Sequence, residues 1–338
     1  MKILIDAFGG DNAPEAVIEG GIAAVGEKDG FTAVFVGKKE SIVNLLKTKT
    51  YDKSRVEILP AEEVITCEEE PTAAFRKKPD SSIAVGFKTL KEDGDAAAFV
   101  SAGSTGAVLV GATLKLGRIQ GVNRPALCPV LPTAKEGKNV FLLDSGANAD
   151  CKSINLFQFA VMGAAYAEAT GVVNPVVALL SNGTEDEKGN ALNHEVFPML
   201  KEAKGINFAG NVEARDILSG DYDVIVADGF SGNVALKSIE GAVSILFKSL
   251  KEQIYSSFRG KLGGAILKPQ FKKLKEKLDY NNKGGALFLG VNKIVVKAHG
   301  SSGAIAVKNA VLQAVSYAEF NLVERIKEKL TENERQGE

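Results

Sequence analysis

Short apolar runs rich in β-branched residues alternate along this chain with segments whose apolar positions recur every three or four residues. The short runs, at 2–6, 32–36, 55–59, 96–100, 140–144, 174–180, 223–227 and 292–297, predict strands, most of them apolar on both faces. The longer period predicts helices over 14–28, 41–47, 81–91, 105–116, 154–169, 191–203, 233–258 and 303–330. Strands buried on both faces and separated by helices make a parallel sheet covered by helix layers. The expected fold is therefore α/β, a three-layer α/β/α sandwich with a mainly parallel central sheet. At 338 residues the chain exceeds what one compact core holds, so 1–330 reads as a single elaborated α/β domain or two intimately joined lobes, with a polar tail at 331–338.

One stretch breaks the alternation. From Lys248 to Asp279 there are nine basic residues against three acidic ones, a local net charge of about +6. Apolar residues recur at Phe247, Leu250, Ile254 and Phe258, then at Phe271, Leu274 and Leu278, with Gly263, Gly264 and Pro269 between them. This spacing predicts two amphipathic helices forming a protruding basic hairpin over 245–279, turning at the glycines and proline. Its lysines, Lys268, Lys272, Lys273, Lys275 and Lys277, suit an anionic membrane or an acidic protein. Packing of the apolar stripe on the protein or on a second subunit is the competing reading.

Global charge adds no bias. Lys and Arg number 41 against 42 Asp and Glu, which gives no reason to expect nucleic acid. Cys67, Cys128 and Cys151 lack CxxC spacing and only two histidines exist, too few ligands for zinc or iron–sulfur, so each cysteine reads as a small buried hydrophobe in a reducing compartment. No stretch approaches the roughly 20 apolar residues that span a bilayer. Met1 and Lys2 lead straight into ILIDAF with no signal-peptide pattern. The expectation is a cytoplasmic protein, at most peripheral at the inner face of the cell membrane.

Candidate chemistry lies in the glycine-rich loops that follow the apolar runs: DAFGGDNAP (6–14), SAGSTGA (101–107), LDSGANAD (143–150), DGFSGN (228–233) and AHGSSGA (298–304). Loops at the carboxyl ends of parallel strands share one edge and there build one site. Glycine lets the backbone approach a ligand, and a following helix presents unpaired amides to an anion. The first loop supplies Asp6, Gly9, Gly10 and Asp11, the aspartates being equally good turn formers and helix caps. In the second, Ser101, Gly103, Ser104, Thr105 and Gly106 offer neutral donors to a phosphate, or an ordinary N-cap. Asp144, Asn148, Asp228, Ser231, Gly232 and Asn233 extend the edge, and Lys188 in SNGTEDEKGN (181–190) is a point charge able to pair with phosphate. The sharpest signal is KAHGSSGA: Lys297 and His299 lie on one side of a continuing strand, with Ser301 where a helix starts, so a cation, an imidazole and amides converge on one anion. His194, inside a helical pattern, reads as structural or surface. No GxxxxGK[ST] occurs, and Gly229 and Gly232 are three apart, so GFSGN is not a nucleophile elbow and no Ser-His-Asp triad is assigned.

Taken together, DAFGGDNAP, SAGSTGA, LDSGANAD, EDEKGN, DVIVADGFSGNVALK and GGALFLGVNKIVVKAHGSS resemble the signatures of the phosphate acyltransferase family of bacterial phospholipid synthesis. The chain departs from that pattern at Phe8, where Met is expected, at Ser104, where Asn is usual, and at SNGTEDEKGN, where an Asn-Ile-Gly-Glu-Glu type of loop is more familiar. The resemblance implies a fold similar to isocitrate and isopropylmalate dehydrogenases and to phosphotransacetylase, and a homodimer. It implies transfer of a long-chain acyl group from acyl carrier protein (ACP) to inorganic phosphate, without metal or organic cofactor. The product would serve a membrane acyltransferase that uses acyl phosphate to acylate glycerol 3-phosphate. In that chemistry Ser104, Thr105, Lys188, Asn233 and Lys297 position phosphate and the carbonyl oxygen, and His299 bonds phosphate or protonates the leaving thiolate. Two other readings stand beside it: an NAD(P)-dependent dehydrogenase of the same fold type, and a non-catalytic lipid- or ACP-binding scaffold.

Overall fold

The computed structural model describes residues 1–278 and 284–337, with side chains described outside 275–278 and 333–337. Its strands are β1 (Lys2–Asp6), β2 (Thr32–Gly37), β3 (Val56–Pro60), β4 (Ala96–Ser101), β5 (Ala126–Cys128) and β6 (Val130–Pro132). They continue with β7 (Asn139–Leu143), β8 (Val176–Ser181), β9 (Asn207–Glu213), β10 (Val224–Val226), β11 (Ala286–Leu289) and β12 (Ile294–Lys297). The helices are α1 (Glu15–Glu27), α2 (Lys39–Leu46), α3 (Pro71–Lys77), α4 (Ser82–Glu92), α5 (Thr105–Gly111) and α6 (Ser153–Ala169). After them come α7 (Ala191–Glu202), α8 (Gly229–Tyr255), α9 (Phe258–Leu278), α10 (Ala304–Glu319) and α11 (Leu322–Gly337), the last running through most of the polar tail.

The fold is α/β, and its strands divide between two mostly parallel sheets. One has the order β3-β2-β1-β4-β12-β11-β5, the other β6-β7-β10-β8-β9. In the first, β11 is antiparallel to both neighbours; in the second, β6 is antiparallel to β7. The chain leaves the first sheet for the second at Pro129, between β5 and β6, where a residue without an amide cannot extend either ladder. It returns through α8 and α9.

Apolar faces of both sheets and the helix α6, buried almost all round, make the core, with Tyr166 edge-on to Phe141 at 4.7 Å. Helices α1 and α10 approach closely at Gly20, where a Cβ would stand 2.6 Å from the Ala304 carbonyl oxygen.

Several local expectations are corrected. The helix expected over 303–330 is two helices, because Asn321 takes a left-handed conformation (φ 50°) that Asn tolerates. The α8–α9 turn falls at Ser256–Ser257, and α9 runs on through Gly263, Gly264 and Pro269. Gly264 instead marks the close contact of the two helices, since a Cβ there would lie 2.7 Å from Ile254 Cγ2. Cys67 is exposed, while Cys128 is buried and Cys151 partly so.

Candidate active site

The order β1-β4-β12 brings three of the loops side by side. Ser101 Oγ donates to Asp6 Oδ2 at 2.6 Å and accepts from the Gly103 amide at 3.0 Å. The Asp11 amide donates to the Gly300 carbonyl at 2.8 Å, and Asn12 Nδ2 donates to the Ser301 carbonyl at 3.0 Å. Gly9 is required by this closeness: a Cβ would meet Asp6 Oδ2 at 2.4 Å and the Gly103 nitrogen at 2.6 Å. Burial pushes the Asp6 carboxyl up, opposed by hydrogen bonds from Ser101, Ser82 and the Phe8 amide.

The adjacency of β7 and β10 does the same in the second sheet. Buried Asp144 accepts from the amides of Leu127, Gly146, Ala147 and Asn148 at 2.7–3.1 Å and from Asn148 Nδ2 at 2.8 Å, which ties the loop into one unit. Asn148 Nδ2 also donates to the Pro125 carbonyl at 2.7 Å. The start of α8 lies directly on this loop. Asp228 caps it by accepting from the Ser231 amide at 2.9 Å, and a Cβ on Gly232 would stand 1.9 Å from the Asp144 carbonyl oxygen. Asn233 Nδ2 donates to the Ser145 carbonyl at 3.1 Å.

Between the two loop clusters lies a cavity of about 280 Å³ lined by Thr105, Ser145, Asn233, Lys237, Lys297 and His299 among others. Lys297 is buried, its Nζ donating to the Ala102 carbonyl at 3.4 Å and to the Ala298 carbonyl. Burial pulls its ammonium down to about 8. Half-buried His299 is also shifted down, first by burial and next by the charge of Lys237. The Ser301 amide donates to His299 Nδ1 at 3.3 Å, which assigns the proton of the neutral ring to Nε2. Lys237 itself pairs with Glu240 at 2.8 Å. Two lysines, a neutral imidazole donor, an amide and a hydroxyl around one small cavity suit a phosphate-sized anion and a developing oxyanion.

Of the residues singled out from the sequence, the cavity wall includes Thr105, Asn233, Lys297 and His299. Asp6, Gly9, Ser101 and Gly103 stand behind the wall and fix the loops. So do Asp144, Asn148, Asp228, Ser231 and Gly232 on the other side. Gly10 adopts a positive φ of 97° that lets the loop turn beside Gly300, and Gly106 packs on Pro71. Ser104 Oγ faces its own helix, accepting from the Ala107 amide at 3.4 Å, and Ser301 Oγ bonds His299 Nδ1 at 2.8 Å. Asp11 is exposed near His299, whose pKa it raises. Lys188 lies on the exposed 183–190 loop, folded against Gly183, outside the residues that line the cavity. Lys268, Lys272 and Lys273 are exposed on α9; the side chains of Lys275 and Lys277 lie outside the described residues. His194 is on the surface of α7. Sequence reasoning missed Lys237 and Glu240, whose places two and three turns into a long helix look like any solvated face. Among the described residues no group of three His, Cys, Asp or Glu is arranged to hold a metal, and no helix is long and apolar enough to cross a membrane.

Residues 1–325 match the family model described as fatty acid synthesis protein. The chain is 46% identical over 333 residues to a phosphate acyltransferase of Clostridium tetani, covering 98% of each chain. It is 50% identical over 314 residues to a phosphate acyltransferase of Bacillus cereus, covering 93% of each. In structure it is similar to EutD phosphotransacetylase from Staphylococcus aureus, with a TM-score of 0.59 at 18% identity over 94% of each chain. It is also similar to a 4-hydroxythreonine-4-phosphate dehydrogenase from Klebsiella pneumoniae, with a TM-score of 0.54 at 14% identity over 94% of this chain and 99% of that one. At such identities these two likenesses speak to fold alone. The sequence relatives do not favour the dehydrogenase reading.

Proposed function

The chain belongs to the fatty acid synthesis protein family, and on that premise we propose that it moves a long-chain acyl group from acyl carrier protein to inorganic phosphate. Acyl transfer itself follows from its kinship with the phosphate acyltransferases; the donor and the acyl phosphate product are the proposed part. The observation that carries it is the small cavity where Lys297, Lys237, His299, Asn233 and Thr105 converge, with Glu240 already paired to Lys237.

Phosphate is itself a nucleophile, so the site has to hold it in line with the thioester carbonyl and stabilise the oxyanion. One phosphate oxygen bonds the carbonyl carbon. The tetrahedral intermediate then collapses, the carbon–sulfur bond breaks with its electron pair on sulfur, and the thiolate takes up a proton. Lys297 and Lys237 attract the phosphate, and Thr105 and Asn233 orient it. His299, neutral with its proton on Nε2, donates to the developing oxyanion or to the departing sulfur. No step requires a metal or organic cofactor.

In the same reading the enzyme is a homodimer that docks acidic acyl carrier protein and hands acyl phosphate to a membrane glycerol-3-phosphate acyltransferase. Exposed Phe258, Leu262 and Ile266, spaced four apart on α9 among lysines, favour a peripheral membrane contact for the hairpin.

The test is to incubate the purified protein with palmitoyl-ACP with and without phosphate, trapping acyl phosphate with hydroxylamine and following free ACP by gel shift. Phosphate-dependent release with trapped product is expected. No release with any chain length would overturn the reading.

A further inference from the structure

A second and larger cavity, about 790 Å³, runs between the inner faces of α8 and α9 and the edge strand β6. Along α8, Leu236, Val243, Phe247 and Ile254 form one stripe at helical spacing; Leu131 of β6 and Phe271 of α9 face the same space. Leu236, Glu240 and His299 line this cavity and the small polar one alike, so the two adjoin at these residues. From Leu236 to Ile254 the stripe runs about 27 Å along the helix, longer than an extended palmitoyl chain. Val243, Phe247, Ile254 and Phe271 are only half-buried, which leaves apolar surface that folding alone has not removed from water.

We propose that this groove holds the acyl chain, with the thioester carbonyl at His299 and the methyl end directed toward Ile254 and Phe271. The inference rests on the acyl-transfer reading and adds where the chain lies. One end of the groove meets cations and a hydrogen-bond donor, and the rest offers apolar walls, which matches a ligand with a polar head and a straight apolar tail. Because α8 carries both Lys237, which faces the phosphate cavity, and the apolar stripe, one helix sets the distance between the reacting carbon and the tail.

The test uses the full chain and titrates butyrate, octanoate, dodecanoate and palmitate against a fluorescent fatty acid. Affinity is expected to rise roughly fourfold per methylene until the groove is filled. Val243→Trp, which narrows the groove, is expected to flatten that rise beyond octanoate. Phe271→Ala serves as a second variant on the facing helix and is expected to weaken palmitate more than butyrate. Wild-type affinity that does not depend on chain length overturns the proposal. So does a Val243→Trp variant that changes the oligomeric state by sedimentation but not palmitate affinity, since the groove is then a seat for a second copy. Parallel assays with butyryl- and palmitoyl-ACP separate this from the function itself. Phosphate-dependent release that is indifferent to chain length sinks the groove and leaves acyl transfer standing. A steep fatty-acid series with no release at any length does the reverse.

Discussion

Asp6 and Ser101 are joined by a 2.6 Å hydrogen bond between side chains at the carboxyl ends of neighbouring parallel strands. The Ser101 hydroxyl donates to the carboxylate and accepts from the Gly103 amide at 3.0 Å, so one serine ties the end of β1 to the loop leading into Thr105. Both side chains are buried, so neither partner can turn to water. Ser101→Ala leaves a buried carboxylate and a buried amide each short of a bond, an expected loss of about 2 to 3 kcal/mol. Denaturant unfolding checks the loss and phosphate KM checks the loop. A change within about 0.5 kcal/mol with normal KM means the link does not organise the site.

Gly232 and Gly241 lie on the same helix in opposite circumstances. A Cβ on Gly232 would stand 1.9 Å from the Asp144 carbonyl oxygen, whereas at Gly241 nothing lies within 4 Å. Backbone cannot yield as a side chain can, so Gly232→Ala is expected to cost about 3 kcal/mol and to shift α8 away from the 144–148 loop. Gly241→Ala is expected to stabilise by up to about 1 kcal/mol through helix propensity. Paired thermal melts decide it; equal melting of both variants removes the packing argument.

The apolar runs that became β1, β2, β4, β7, β8 and β12 could be read directly, because each is largely buried on both faces, and three-residue β10 because it lies inside the run at 223–227. What went unread was short or solvent-facing. ALC and VLP, three residues each around Pro129, fall below the length at which a period exists, yet they split the strands into two sheets. NFAGNVE of β9 is an exposed edge that contains Gly210 at a positive φ of 93°. The helix PTAAFRK is short, and its start is set by Glu70, whose carboxylate accepts from the amides of Thr72 and Ala73. Of the residues that line the cavity, Lys297, His299, Thr105 and Asn233 could be picked out because glycine-rich loops end strands. Lys237 and Glu240 could not, since a Lys and a Glu three apart on a helix are the ordinary signature of solvent. Lys188, picked out as a cation in a polar loop, packs on Gly183 and is not among the residues that line the cavity.

The exposed residues Phe258, Leu262 and Ile266 sit on a helix rich in lysine and outside both cavities. Replacing Leu262 and Ile266 by Glu is expected to abolish flotation with anionic vesicles, with turnover of soluble palmitoyl-ACP within about twofold. Unchanged flotation together with a raised, salt-dependent KM for ACP assigns this face to the carrier protein instead.

With two histidines in the chain and His194 on the surface of α7, the imidazole protons allow a clean titration of His299. Its midpoint is expected below the ordinary 6.5 because burial and then the Lys237 charge disfavour the imidazolium. Lys237→Ala should move that midpoint up, and Glu240→Gln should move it further down. His299→Ala is expected to lower kcat by about 100-fold with a melting shift of about 2 °C or less. A midpoint indifferent to both neighbours would separate His299 electrically from α8.

Lys297 links stability and activity to pH with opposite signs. Burial pulls its pKa from 10.5 down to about 8, so between those values the unfolded chain holds a proton that the fold has released. Stability relative to Lys297→Met is therefore expected to rise with pH from about 8 to 10.5 and to be lost as pH falls through about 8. Phosphate binding needs the ammonium, so kcat/KM for phosphate is expected to decline as pH climbs through about 8. Lys297→Arg keeps a charge throughout this range; it is expected to bind phosphate less well because its fork does not fit the lysine's seat, and to lose the alkaline decline. Rate profiles of the two proteins measured to about pH 10, with unfolding curves at the same points, check both signs. A wild-type profile that stays flat, or an Arg variant that declines in parallel with it, would assign the alkaline limb to some group other than Lys297.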